Sequence, residues 1–410
     1  MWIKRLELHN FRNYENLEVE FDAGKVLILG HNGQGKTNLI EGIAYFDSLS
    51  SHRVSSDAPL LKAGENTGVL RVTVAHTGST KAMDVQLQSG RGKKAQLNGN
   101  SIAPRELTRY LTTVVFAPED LQIVRGEPSA RRSFLDSAIV SRNPIFAGVL
   151  QEYERVVKQR SSLLRAIRGN PHQSGFRENL EFWNSHLLLL GTRVMAERRR
   201  LVDDLLPYLK EAYKGLVGAD HRPGLALYET ATAKESRPYV AGAYAGVDGS
   251  EVFDHLSNVS RETLSADFKF QLDRLERAEI ERGQTLIGPH RDDLQLELNG
   301  LPVKGYASHG ESWSVALSLK LAIAELMRAE LNSEDPVLIL DDVFAELDAK
   351  RRESLMTAVG DYEQVIITAA VAADIPSGMP WQTFIISGGR LVKSEVSADP
   401  QTVFAKAGVE

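Results

Sequence analysis

The chain has 410 residues, 42% hydrophobic and 25% charged, a length for two or three domains and a composition that excludes a disordered polypeptide. Its 48 Lys and Arg against 54 Asp and Glu leave a formal charge of −6, which excludes coating of nucleic acid by bulk positive charge but not a local basic patch. Cysteine is absent, so disulfides, a thiolate nucleophile and a Cys-based zinc site are excluded as well.

The opening residues carry no apolar leader pattern, and no apolar run approaches the roughly 20 residues of a membrane helix. The expected location is therefore the cytoplasm, with no membrane partner. Residues 2–8 and 17–21 alternate apolar and polar, as half-buried strands do. Residues 25–29 form a continuous apolar run, the mark of a strand covered on both faces. A helical pattern follows over 38–46, then a small antiparallel meander over 69–75, 83–87 and 94–98, and a strand at 111–116 that can return to the main sheet. From 129 to 213 the period is helical, with a turn at 169–175. Residues 131–213 carry 14 Lys and Arg against 9 Asp and Glu, a local surplus of five. A looser stretch at 240–249 precedes a helix over 251–282. Strands at 294–298, 337–340 and 365–367 and a helix over 312–331 complete the chain. The two ends share one texture and the middle differs, which predicts one α/β domain built from both termini with a helical lobe inserted.

Residues Gly30-His31-Asn32-Gly33-Gln34-Gly35-Lys36-Thr37 fit G-x-x-x-x-G-K-[ST] in full, between an apolar strand and a helical pattern. Gly33 and Gly35 permit the tight loop whose amides turn inward on phosphate, and the following helix adds its positive end. Lys36 is expected to reach the β- and γ-phosphates of ATP, and the Thr37 hydroxyl to ligate Mg²⁺. The second half of the site is Asp335 to Asp342, an apolar strand that delivers acids at its C-terminal edge. Asp341 is expected to hold Mg²⁺, and Asp342 to polarise the attacking water as general base. Lys36 and Asp341 are 305 positions apart. That spacing requires a large insertion and points to ATPase heads assembled from both ends of a chain.

Several segments taken in order carry a resemblance. They are Leu8 to Tyr14, Leu49 to Arg53, Asp57 to Leu61, Phe116 to Leu121, Gly126 to Asp136, Gly288 to Leu294, Tyr306 to Glu311 and Leu340 to Asp348. Together with the phosphate loop they make the chain resemble, nearly end to end, the RecF family of ABC/SMC-like ATPases. The resemblance implies an α/β fold: an ABC-type head built from both chain ends, an inserted mainly helical lobe and a small antiparallel β meander. Its divisions would be residues 1–125 for the N-terminal half of the head, 126–283 for the lobe and 284–410 for the C-terminal half.

The resemblance also implies roles. Ser308 and Gly310 would offer a hydroxyl and an amide to the γ-phosphate bound on a second copy, residues 345–348 would form the D-loop of the same seam, and Arg12 would approach the nucleotide. His309 replaces a glycine of the wider ABC signature. Asp342 replaces the longer glutamate of many relatives, which suggests slow hydrolysis. Thr368 stands near the place of a switch histidine, and Glu119, Asp120 and Gln122 all remain open as the Q-loop residue. His290 and Arg291 fit nucleotide or interdomain contacts as well as core hydrogen bonding. The histidines show no zinc spacing, and Trp313 reads as packing.

The implied function is ATP-driven homodimerisation that clamps double-stranded DNA beside single-stranded gaps, with hydrolysis releasing it. RecO and RecR would be the partners through which RecA loads. Arg131, Arg132, Arg198, Arg199 and Arg200 are the candidate DNA contacts on the basic lobe. The motor of a membrane transporter and a structural clamp with negligible turnover remain the alternatives, and the lobe is too short for the heptad arm of an SMC protein.

Overall fold

The computed structural model describes residues 1–410 except 52, 55, 171–174, 233–237, 243–249, 332–333, 377–378 and 407–410, with backbone alone for 250–260. The expected turn at 169–175 and loose stretch at 240–249 lie largely outside the described residues. The first part of the chain contains β1 (Trp2–Phe11), β2 (Tyr14–Glu20), β3 (Gly24–Leu29), α1 (Lys36–Ser48), β4 (Thr67–His76), β5 (Ser79–Gln88), β6 (Lys94–Leu97), β7 (Asn100–Ile102) and β8 (Thr113–Phe116). There follow α2 (Pro128–Arg142), α3 (Phe146–Gly169), α4 (Phe176–Val217), β9 (Gly224–Tyr228), β10 (Tyr239–Val240), α5 (Ser250–Arg282), β11 (Asp293–Leu298) and β12 (Leu301–Pro302). The last part holds α6 (His309–Glu330), β13 (Val337–Asp341), α7 (Ala349–Ala358), β14 (Gln364–Ala369), β15 (Trp381–Ser387) and β16 (Arg390–Ser397).

One compact unit comprises Met1–Leu121, Glu211–Ala219 and Trp313–Glu410, so both chain ends build it. Its main sheet has the order β16-β15-β3-β14-β13-β8. All neighbours are parallel except the β15–β16 hairpin at the edge. The central strands are buried along their length, Val337 to Asp341 and Gln364 to Ala369 without a break, because a parallel sheet is covered on both faces. The second sheet is antiparallel, β2-β1-β4-β5-β6-β7, and the expected meander is its outer half. One core joins Leu8, Leu70 and Val85 of this sheet, Leu39, Ile40 and Ile43 of α1, and Ile28, Ile339 and Ile366 of the main sheet. At Gly42 a Cβ would come within 2.9 Å of the Leu8 side chain, so glycine lets α1 lie close on β1.

The other unit comprises Gln122–Lys210 and Asp220–Ser312 and is mainly helical. It also contains a sheet of order β10-β9-β11-β12. Residues 284–312, which the sequence reading groups with the C-terminal half of the head, pack here because β11 pairs with β9 from Asp293–Tyr228 to Glu297–Gly224. The ion pair of Arg160 with Glu279, 2.5 Å apart with both side chains wholly buried, ties α3 to α5, and Thr285 and Asn184 accept from the other two guanidinium nitrogens. A pair this enclosed is tolerable when each guanidinium nitrogen has a partner.

Candidate nucleotide site

The strand β3 is driven into the sheet by Val26, Leu27, Ile28 and Leu29, all wholly buried, and it ends on the loop 30–37. Two backbone positions require glycine. Gly33 has φ +79°, and Gly35, the N-cap of α1, has φ +117°. A Cβ on Gly35 would stand 2.6 Å from the Asn13 side chain, and one on Gly30 only 2.4 Å from the Ile386 carbonyl. The loop is braced from two hairpin turns. The Tyr14 hydroxyl donates to the Gly35 carbonyl at 3.0 Å and Asn13 Nδ2 to the Gln34 carbonyl at 3.2 Å. The amides of Gly388 and Gly389 donate to Gln34 Oε1 and to its carbonyl. His31, Asn32 and Gly33 form the exposed rim, where the His31 ring meets Phe404 edge-on. Lys36 is buried, its ammonium donating to the Gly30 carbonyl at 2.6 Å and the His31 carbonyl at 3.2 Å. Burial lowers its pKa, and the Asp342 and Asp341 carboxylates pull the other way.

Strand β13 delivers the acids. Thr37 Oγ1 lies 3.5 Å from Asp341 Oδ1, and the same oxygen accepts from the Thr368 hydroxyl at 2.5 Å. Asp341 is raised by burial, against the hydroxyls of Thr368 and Thr37, with Asp342 and Glu119 adding repulsion. Asp342 leaves the strand with φ +55°, a left-handed backbone that Asp tolerates, and its pKa is raised by burial against the pull of Lys36. The convergent donors at Thr37 and Asp341 are hard oxygens, which suits Mg²⁺. Among the described residues no group of three or more His, Asp or Glu could cage a metal alone.

In the mainly helical unit, Ser308 precedes α6 and forms a reciprocal capping box. Glu311 N–H donates to Ser308 Oγ at 3.2 Å and Ser308 N–H to Glu311 Oε2 at 2.8 Å. Ser308 is exposed, with Gly310 one residue into the helix. In the head, the D-loop segment exposes Ala345, Glu346 and Asp348 and buries Leu347, while Asp348 caps α7 by accepting from the Arg351 amide.

Residues 2–376 match the RecF/RecN/SMC N terminal domain family. The DNA replication and repair protein RecF of Leifsonia xyli subsp. xyli is 46% identical over 393 residues, covering 96% of this chain and all of that protein. RecF of Clavibacter sepedonicus is 43% identical over 402 residues. The chain belongs to the RecF family. The solved structure of the recombination mediator protein RecF with ATP, from the RecFOR pathway, is similar with a TM-score of 0.80 at 27% identity, covering 96% of this chain and 97% of that one. A head domain of Smc bound to the C-winged helix domain of ScpA shares the fold alone, with a TM-score of 0.50 at 14% identity.

Within this RecF frame, Arg12 lies against protein groups. At φ +52° its guanidinium makes two 2.7 Å bonds to the buried Glu41 carboxylate and one to the Pro59 carbonyl. Glu41 also accepts from Ser51 and pairs with Arg53 at 3.5 Å, so its pKa falls despite burial. Arg53 donates in turn to Asn38 Oδ1, and Asn38 to Asn13 Oδ1, the residue that braces the Gln34 carbonyl. The sequence reading assigned no role to Glu41, Asn13 or the Gly388–Gly389 turn. A Gly-Gly pair between two runs rich in Phe, Ile, Val and Thr is a hairpin signal that marks the last of these.

The structure places four of the five candidate DNA arginines against protein groups. Arg131 is buried against Asp293 and the Gly126 carbonyl, and Arg198 against Asp136 and the Pro289 carbonyl. Arg132 reaches the Asp292 carbonyl, and Arg199 lies against Glu229 and over the Tyr239 ring. Arg131, Arg198 and Arg199 thus face acids of the lobe, and releasing one of them to a phosphate would leave its carboxylate without that partner. Arg200 is the exception, 68% exposed and 3.8 Å from Asp204. Asp120 is likewise spent, capping the Ala117 amide and pairing with Lys320, whereas Glu119 is exposed and acts electrostatically on Asp341. His290 bonds to Tyr153 at 2.8 Å inside the lobe, which favours the core reading for it.

Proposed function

We propose that this chain is an ATP-dependent DNA-binding protein of replication and recombinational gap repair. ATP with Mg²⁺ occupies the phosphate loop of one copy, Thr37 and Asp341 hold the metal, and Ser308 and Gly310 of a second copy close on the γ-phosphate. The resulting homodimer clamps duplex DNA beside single-stranded gaps, and slow hydrolysis with Asp342 as base opens it. Work with RecO and RecR toward the loading of RecA completes the reading. The observation that carries it is the pairing of Thr37 with Asp341, which completes a P-loop ATP site in a chain that matches RecF proteins over nearly its whole length. The phosphate-contacting charge falls to exposed cations such as Arg200 and, on α3, Lys158 and Arg165. The test is the mass and duplex-DNA affinity of wild type, Lys36→Ala and Ser308→Arg with and without ATP. ATP should double the mass and tighten DNA binding in the wild type only. A monomer whose DNA affinity ignores ATP would refute the clamp.

A clamp that hardly turns over is the second reading. It is favoured by the carboxylate of Asp342, shorter by one methylene than glutamate and set on a left-handed backbone beside Lys36.

A further inference from the structure

The two acids of the site share one hydroxyl. Thr368 sits wholly buried on β14, in register with Asp341 of β13. Its Oγ1 accepts the Asp342 amide proton at 3.0 Å and stands 2.5 Å from Asp341 Oδ1. A hydroxyl owns one proton. The amide can only donate, so the hydroxyl proton is directed at Asp341, and the order Asp342 N–H to Thr368 O–H to Asp341 is forced. The first bond, which the amide shares with the Thr368 main-chain carbonyl at 3.3 Å, helps hold Asp342 at φ +55°, a backbone that costs a non-glycine residue energy unless its surroundings impose it. The second orients the carboxylate whose oxygen faces Thr37 at 3.5 Å.

We propose that Thr368 is a positioning residue of the ATPase site, setting the metal-binding carboxylate of Asp341 and the backbone of Asp342 with a single hydroxyl. Both faces of that hydroxyl are committed to the acids, so Thr368 does not touch the γ-phosphate as a switch histidine would. Its role is to fix the geometry in which Mg²⁺ and the attacking water are received. The inference rests on the ATP site proposed above.

The test compares wild type, Thr368→Val, which keeps the shape and removes the hydroxyl, and Thr368→Ser, which keeps the hydroxyl. A fluorescent ATP analogue is titrated with and without Mg²⁺, steady-state hydrolysis is followed, and thermal melts verify folding. For Thr368→Val we expect unchanged affinity for the analogue in EDTA, a Mg²⁺ half-saturation raised about tenfold and turnover lowered about tenfold or more, within the range for a displaced catalytic group. Thr368→Ser should restore both. A Thr368→Val protein with the wild-type Mg²⁺ requirement and turnover overturns the role, as does a Thr368→Ser protein impaired as deeply as the valine variant. A wild type that binds no nucleotide in either condition would instead refute the ATP site on which the inference stands.

Discussion

Thr37 and Asp341 are 304 positions apart in the chain and 3.5 Å apart in the fold. The contact follows from strand order, because β14 lies between β3 and β13 and brings the loop after one strand to the end of the other. Ligands of open α/β sheets collect at this carboxyl edge.

Asp341→Asn should keep the fold, since the amide oxygen still accepts from Thr368, but should lose much of the attraction for a divalent cation. We expect Mg²⁺-dependent nucleotide affinity to fall at least tenfold with little change in EDTA, read by equilibrium titration. Equal losses in both conditions would place Asp341 outside the metal site.

Asp342→Asn removes the proposed base while keeping size and backbone. Turnover should fall about 10²-fold or more, the usual scale of a general base, and ATP should hold the dimer longer. Light scattering during a single ATP addition follows both, and unaltered turnover would remove Asp342 from that role.

Arg131→Ala and Arg198→Ala should act on stability. Each leaves a part-exposed acid, Asp293 or Asp136, without its charged partner, at a cost of about 2 kcal/mol, and lowers Tm without altering the salt slope of DNA binding. Joint neutralisation of Lys158 and Arg165 should do the reverse, reducing the slope by about 0.9 per lost phosphate contact. A slope that changes for Arg131→Ala alone would return the DNA surface to the original arginines.

Asp292 is buried in the lobe with Oδ2 unpartnered, while Thr230 bonds to Oδ1 through its amide and its hydroxyl. Burial raises it to about 7. A carboxyl whose folded pKa lies above its unfolded value favours the folded state most below the unfolded pKa. That contribution is lost as pH rises through the folded value. The lobe should therefore lose stability between about pH 4 and 7, by at most roughly 4 kcal/mol at 1.36 kcal/mol per unit. Half-buried His290, lowered to about 4, acts in the opposite sense over the same range, destabilising as pH falls from 6.5 toward 4. Asp292→Asn should remove the loss due to Asp292 and leave the His290 effect, so that stability rises from pH 4 to 6.5 more steeply than in wild type, as read by urea unfolding from pH 4 to 8. A profile identical to wild type would show that Asp292 is already ionised in the folded state.

The sequence by itself determined the phosphate loop, the acids of β13 and the family. These are local patterns, or orders of local patterns, and a strand buried on both faces or a Gly-Lys-Thr turn is written in adjacent residues. The fold alone decided which charges are available. Arg131 and Arg198 read in the chain as basic surface, yet each is turned inward by an acid from another element, Asp293 of β11 and Asp136 of α2. Arg12 similarly reads as a nucleotide contact and is held by Glu41. Composition counts charges, whereas solvation and pairing depend on neighbours distant in sequence. The surplus of five on residues 131–213 is therefore a sum over interior and exterior cations. Thr368 shows the same limit in the site itself. It makes two hydrogen bonds at the carboxyl end of a neighbouring strand, and only the parallel pairing of β13 with β14 creates them.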